Sequence, residues 1–261
     1  MKILLIGDIV GSPGRIAVKK IVPTLREKYG LDFVIANGEN TAGGSGITPE
    51  IASELFSYNV DVITLGDHAW RQRKILDGIG DEKRLLRPAN FPVGVPGRGS
   101  AVFYLPGGVR VGVINLEGRV FMPPLDCPFR RVAEEIDEIR GNSDVIVLDF
   151  HAEATSEKIA MGWYLDGRVS VVAGTHTHVQ TSDERILPKG TAYITDIGMT
   201  GPFDSVLGRD VNSVIKRFLT QMPTRFQVAS NDVRLCGVIA EVDPETGKAV
   251  SIERVEEAVS E

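Results

Sequence analysis

All four histidines of this 261-residue chain, His68, His151, His176 and His178, stand close behind short apolar runs. Acids and amides share those positions. Asp8 follows "LLI" and Gly7, Glu39 and Asn40 follow "FVIAN" and Gly38, and Asp67 precedes His68 after "VITL" and Gly66. His151 follows "VIVLDF", and His176 and His178 follow "VSVVAG" and Thr175. A lone histidine is usually a surface or core residue, but four of four at matching positions point to a metal site. Mixed imidazole and carboxylate ligands suit Mn, Fe or Zn, whereas calcium takes oxygen alone. Neither Cys127 nor Cys236 lies near these segments, which disfavours a thiolate site.

The candidates Asp8, Glu39, Asn40, Asp67, His68, His151, His176 and His178 exceed what one tetrahedral ion can use. Two ions roughly 3.5–4 Å apart, sharing a bridging carboxylate, employ nearly all of them. Such a pair activates a bridging hydroxide for in-line attack on phosphorus and neutralises phosphoryl oxygens. One histidine is then left over to protonate the departing oxygen.

The elements that must position these groups alternate. Buried strands are expected at 2–7, 32–37, 61–66, 144–150, 169–174 and 191–196, each a continuous apolar run. Helices are expected from Pro13 to about residue 28, from the N-cap Thr48 to Tyr58, and over about 128–140. Residues 87–99, rich in Pro and Gly, read as a loop. A hairpin turns at Pro106-Gly107-Gly108, and a second joins 234–243 to 249–255 through Pro244-Glu245-Thr246-Gly247. Strand–helix alternation argues parallel pairing and the hairpins add antiparallel strands, so a mixed α/β domain, with one sheet or two, follows. Ligands of open α/β sheets bind beyond the carboxyl ends of strands, where all five polar segments lie.

Other chemistries fit less well. Gly7, Gly11 and Gly14 match neither the dinucleotide fingerprint nor the P-loop. Ser45 in "GGSGI" is no hydrolase nucleophile, because Ile47 stands where the second glycine of the elbow belongs. The net charge of −6 does not suit stable nucleic-acid binding, but leaves room for a small phosphorylated substrate. No apolar run approaches the roughly 20 residues of a membrane span. The N-terminus does not read as a signal peptide, and with two distant cysteines, read as reduced and buried, a cytoplasmic location is expected.

The segments "GDIVGSPGR", "NGENTAGGSGIT", "TLGDHAW", "RPANFP", "NLEGRVFM", "DFHAEATSEKIAMGW", "GTHTHVQT" and "TDIGMTGPFDSVLGRD" resemble the calcineurin-like metallophosphoesterases, and among them the bacterial YmdB-type branch. The resemblance spans nearly the whole chain. It implies a single domain over 1–261 with a four-layer αββα architecture, a mixed two-sheet β-sandwich flanked by helices. It implies one metal on Asp8, Glu39, Asn40 and His178, a second on Glu39, Asp67, His151 and His176, with Glu39 bridging, and His68 as leaving-group acid or phosphate-oxygen partner. The metals implied are two divalent or mixed-valence ions, Fe or Mn first and Zn next. The activity implied is hydrolysis of 2′,3′- or 3′,5′-cyclic nucleotides, or of short RNA-derived diesters, by a homo-oligomer. One departure stands out: the branch usually carries Asn where this chain has Asp67. An anionic oxygen there either holds metal more tightly and makes bound water slightly less acidic, or is an oxygen-for-oxygen swap without consequence.

Several residues keep two readings. Arg15, Arg98, Arg119 and Arg209 are phosphate clamps or structural arginines. Glu153 orients a ligand histidine or caps the following turn. Phe121, Met122 and Trp163 line a pocket for a base or belong to the core. A phosphomonoesterase shares the same site. A regulatory protein with a structural metal, binding RNA or protein, is a third reading, against which the spare His68 and the missing basic cluster both weigh.

Overall fold

A computed structural model describes residues 1–260. The chain lays down part of one sheet, builds a second, and then returns to the first. β1 (Lys2–Ile6), β2 (Asp8–Ile9), β3 (Phe33–Asn37), β4 (Val62–Thr64) and β5 (Leu85–Leu86) open the first sheet. β6 (Ser100–Tyr104), β7 (Arg110–Glu117), β8 (Val145–His151), β9 (Val171–Thr175), β10 (Arg185–Ile186) and β11 (Ala192–Ile194) form the second. β12 (Met199–Pro202), β13 (Val233–Asp243) and β14 (Lys248–Ala258) complete the first. Its order is β2-β12-β13-β1-β3-β4-β5, with β14 on β13, and the second runs β10-β11-β9-β8-β7-β6. β1, β3, β4 and β5 are parallel, as are β7, β8, β9 and β11, while both expected hairpins, β6–β7 and β13–β14, pair antiparallel.

Side-chain alternation decides the layers. Ile3, Leu5, Phe33, Ile35 and Val62 of the first sheet meet Val111, Val113, Val145, Val147 and Val171 of the second in one apolar cluster between the sheets. The intervening residues of the first sheet, Leu4, Ile6, Val34, Ala36 and Ile63, pack on α1 (Gly11–Tyr29) and α2 (Pro49–Ser57). Those of the second, Ile114, Leu116, Ile146, Leu148 and Val172, pack on α3 (Pro128–Ile139) and α4 (Thr155–Leu165). The result is the mixed α/β, two-sheet sandwich between helical layers that the resemblance implied.

The expected helices are present: Thr48 caps α2 by accepting from the Ile51 amide at 3.3 Å, and α1 starts at Gly11, two residues before Pro13. Two helices lie outside the sequence expectations, α4 and α5 (Val211–Thr220). Asp210 caps α5 by accepting from the Ser213 amide at 2.8 Å, yet Val214 is the only buried residue in that helix. Both cysteines are free; Cys236 is buried as expected, but Cys127, just before α3, is only half-buried.

Candidate metal centre

The face of each strand that looks between the sheets is apolar until its carboxyl end, and there it turns polar. In β8 the sequence of that face is Val145, Val147, Asp149, His151, and in β7 it is Val111, Val113, Asn115, Glu117. β3 ends the same face in Asn37, β4 in Thr64 and β9 in Thr175, all buried. The loops that follow bring Glu39, Asn40, Asp67, His68, His176 and His178 over this polar end, beside Asp8 of β2. The first sheet thus supplies the carboxylates Asp8, Glu39 and Asp67, together with Asn40, whose Nδ2 faces Glu39 and His178 and whose Oδ1 faces His68, and the second supplies the imidazoles His151, His176 and His178.

One oxygen or nitrogen from each of Glu39, Asp67, His151 and His176 lies within 4.8 Å of the others. His151 Nε2 is 3.3 Å from Glu39 Oε2, 3.3 Å from Asp67 Oδ1 and 3.0 Å from His176 Nδ1. Beside this group, His178 Nε2 stands 3.7 Å from Asp8 Oδ1 and 3.4 Å from Asn40 Nδ2, and Asn40 Nδ2 donates to Glu39 Oε1 at 2.8 Å. Glu39 therefore touches both groups. Asp8 Oδ1 is buried and, among the described residues, has no hydrogen-bond partner. A carboxylate oxygen so placed is costly unless a cation meets it, and this donor set suits a transition metal. The residues present fit metal binding.

Electrostatics agree. Burial pushes the Asp8 carboxyl up to about 7, with His151 pulling it back. Glu39 and Asp67 are also penalised by burial, yet His151 and its neighbouring imidazoles hold both well below the usual carboxylate range. His151 and His68 sit above the usual histidine value: burial lowers them, but Glu39 and Asp67 outweigh it. Burial lowers His178 toward neutral imidazole. Three acids this close demand positive charge among them, which metal ions or protonated imidazoles provide.

A layer of supporting residues fixes these candidate ligands, and most of it was not singled out from the sequence. His151 Nδ1 lies 2.9 Å from Thr175 Oγ1, whose hydroxyl donates to Asp149 Oδ1 at 2.7 Å. Thr64 and Asn37 donate to Asp149 Oδ2, so Asp149 is tied to three neighbouring strands and leaves His151 Nε2 facing the cluster. Its signal was available: Asp149 shares a strand face with His151, two residues away. His176 and His178 both adopt positive φ, 94° and 65°, a strained backbone for side chains with a Cβ. Asp196 clamps the residue between them, accepting from the Thr177 amide at 3.1 Å and hydroxyl at 2.6 Å. Lys158 of α4, buried, donates to the same Asp196 oxygen at 2.7 Å. Glu153 Oε2 is 3.2 Å from His176 Nε2 and does not cap α4, so it orients that histidine. Gly66 is required by close approach: a Cβ there would meet His151 Cδ2 at 2.1 Å and Glu39 Oε2 at 2.5 Å.

His68 lies at the edge. Its Nδ1 is 2.8 Å from Asn40 Oδ1, its side chain is 26 % exposed, and it lines a cleft of about 630 Å³ above the cluster. Of the four arginines, only Arg209 lines that cleft, and its guanidinium donates to the Gly43 and Gly44 carbonyls. Arg15 is paired with Glu54 and the Thr41 carbonyl, and Arg98 lies beside β5. Of the residues read as base pocket or core, Met122 packs on the α3–α4 core, Phe121 is 89 % exposed outside the cleft, and Trp163 pairs with Arg185 on the surface.

Comparison with known proteins places this geometry. A family profile described as YmdB-like protein matches residues 4–255. The chain is 55 % identical over 255 residues to the 2′,3′-cyclic-nucleotide 2′-phosphodiesterase of Bacillus subtilis, covering 98 % of this chain and 96 % of that one. A crystal structure of a hypothetical protein from Thermus thermophilus superposes with a TM-score of 0.93 at 41 % identity, covering 99 % of both chains. A crystal structure of a novel phosphatase from Mycoplasma pneumoniae gives 0.92 at 37 % identity, covering 99 % of this chain and 93 % of that one. With a profile match over nearly its whole length, this chain belongs to the YmdB-like protein family, whose relatives are named as phosphoric-ester hydrolases.

Proposed function

We propose that this chain, acting as one domain, is a metal-dependent phosphodiesterase of cyclic nucleotides, 2′,3′- or 3′,5′-, or of short RNA-derived diesters. Two ions would be held, one by Asp8, Glu39, Asn40 and His178, the other by Glu39, Asp67, His151 and His176, with Glu39 shared. Iron or manganese suits these donors best, and zinc is compatible. A homo-oligomer in the cytoplasm, with no stable hold on nucleic acid, completes the reading. The observation that carries it is the packing of four donor atoms within 4.8 Å beside a cleft that a spare histidine also lines.

A metal pair in such a site supplies an activated nucleophile and charge neutralisation for in-line displacement at phosphorus. The chain's own residues do the rest. Asp149, through Thr175, keeps His151 in one tautomer and one orientation. Asp196 and Lys158 hold the His176–His178 turn at its strained angles. His68 is held by Asn40 and Glu39 at Nδ1 while its ring lines the cleft. Burial lowers its proton affinity, but Glu39 and Asp67 outweigh that and raise it, which suits His68 to protonating the leaving alkoxide.

The test is hydrolysis of bis(p-nitrophenyl) phosphate beside p-nitrophenyl phosphate, with Mn²⁺ or Fe²⁺ and again after chelation. Diester turnover that chelation abolishes is expected, followed by a panel of cyclic nucleotides. Faster monoester turnover would instead favour a phosphatase, the activity named for the Mycoplasma pneumoniae structure. His68→Ala should keep its metal and lose roughly 10²–10⁴-fold in kcat, the usual weight of a general acid. A variant with metal and full turnover retained removes His68 from the chemistry.

A further inference from the structure

The cleft above the metal-ligating cluster has two unlike sides. Its floor is Glu39, Asn40, His68, His176 and His178. Its far wall is built by α5 and the chain on either side of it: Leu207, Val214, Phe218 and Phe226, with Arg217 and Gln221 among them. Phe218 is 74 % exposed and Phe226 41 %, a large apolar surface to leave in water. The wall is anchored to the floor. The Leu207 carbonyl lies 3.3 Å from His178 Nδ1, and Leu207 sits at a positive φ of 52°, a strained angle in the tight turn before α5. Arg209 fastens that turn to the Gly43 and Gly44 carbonyls. Arg217 spends one donor on the Gln221 carbonyl, at 2.6 Å, and has no carboxylate partner among the described residues.

We propose that this wall is the nucleobase site, in which the base of the substrate lies against Phe218 and Phe226 while its phosphodiester reaches the floor, and Arg217 meets the base's acceptor edge. The proposal rests on the phosphodiesterase reading above and adds to it a location for the part of substrate that does not react. A mostly apolar, concave surface with a few convergent polar groups is how proteins hold such ligands, and about 630 Å³ is ample room for a nucleotide. Aromatic rings stack on any base, so the wall favours nucleotides over base-free diesters without reading sequence. Phosphate chemistry alone would need neither phenylalanine.

The test compares adenosine 2′,3′-cyclic phosphate with glycerol 1,2-cyclic phosphate, a five-membered cyclic diester that lacks a base. The readout is the ratio of their kcat/KM values in the metal-loaded protein. Stacking on one ring amounts to roughly 5- to 150-fold in affinity, so Phe218→Ala and Phe226→Ala should each lower the ratio about tenfold or more. Leu219→Ala, on the same helix, 80 % exposed and outside the cleft, should keep the wild-type ratio and serves as the control for helix damage. An unchanged ratio in both phenylalanine variants, or an equal loss in Leu219→Ala, overturns the proposal. So does a Phe218→Ala protein whose assembly mass changes in sedimentation while its ratio does not, which would make the wall an interface between copies.

Calorimetric binding of adenosine 3′-monophosphate to wild type and Phe218→Ala separates this from the parent reading. If wild type cleaves neither diester but binds the nucleotide, and Phe218→Ala weakens that binding about tenfold or more, the base site stands and the phosphodiesterase reading fails. If wild type cleaves the diesters and Phe218→Ala binds the nucleotide as tightly as wild type, the phosphodiesterase reading stands and the base site fails.

Discussion

Replacing Lys158 by methionine keeps the volume of a buried helix residue and removes one charge. Its side chain is 2 % exposed and its partner Asp196 is fully buried, with Nζ and Oδ2 2.7 Å apart. Removing one member of a buried pair costs about 3–5 kcal/mol, because the other is stranded. Asp196 keeps other donors, the Thr177 amide and hydroxyl and the Gly198 amide at 2.8 Å, which places the loss at the lower end, about 3 kcal/mol. In a chain of this size each kcal/mol moves the melting temperature by about 2–4 °C, so Lys158→Met should melt roughly 6–12 °C lower. Adding Asp196→Asn removes the stranded charge and should recover part of that loss. The Lys158 substitution also loosens Thr177, and with it the strained His176–His178 turn, so metal content after dialysis should fall too. Thermal unfolding followed by calorimetry, with metal measured by atomic emission, reads both. A melting temperature within roughly 2 °C of wild type, or a double variant less stable than the single, refutes the reasoning.

Three further outcomes are expected. Gly66→Ala drives a methyl into His151 and the Glu39 carboxylate, so the purified protein should carry little metal, as elemental analysis will show, whatever its fold by circular dichroism. Asp67→Asn replaces an anionic ligand by a neutral one and should weaken metal retention while moving the acid limb of the pH–rate profile to lower pH; unchanged affinity and profile would mean the two side chains are interchangeable there. Glu117 is pushed up to about 8, chiefly by burial, so it binds its proton more tightly folded than unfolded. By linkage that costs stability progressively as pH rises from the ordinary glutamate range near 4.5 toward 8, and Glu117→Gln should flatten the decline in melting temperature over that window, measured with chelator present.

The longer strands, both hairpins and the three expected helices were legible because their apolar runs are continuous or periodic, and α2 also carries a local cap in Thr48; the short β2, β5, β10 and β12 offer too few residues for such a pattern. That the candidate site residues would come together was legible for a different reason. Asp8, Glu39, Asp67, His151 and His176 each lie at or just beyond the end of a strand, so topology alone brings them to one end. α5 was missed because its apolar residues face outward: Val211, Ile215, Phe218 and Leu219 are exposed, and such a stripe has no core to announce it. The support under the ligands was missed because it is read across strands. Nothing near Asp149 in sequence reveals that Thr64 and Asn37 of the other sheet will donate to it. Phe121 and Trp163, which sit beside strong motifs, lie outside the cleft, whereas Phe218 and Phe226, which line it, lie in a stretch with no motif.

Oxygen donors from one sheet and nitrogen donors from the other meet at the polar end of an otherwise apolar sandwich. A cation held by both, as the proposed function has it, would be a rivet between the layers as well as a reagent. Its binding free energy adds to the cohesion of the fold, by about 2.7 kcal/mol when free metal stands at about a hundred times its dissociation constant. Starved of metal, the molecule should open first at that end, where Asp8, Glu39 and Asp67 repel one another, while the opposite end, closed by Val145, Val111 and Ile3, stays shut. Hydrogen exchange at the amides of residues 174–178 and 66–68 would then report cellular metal supply before any loss of the protein itself.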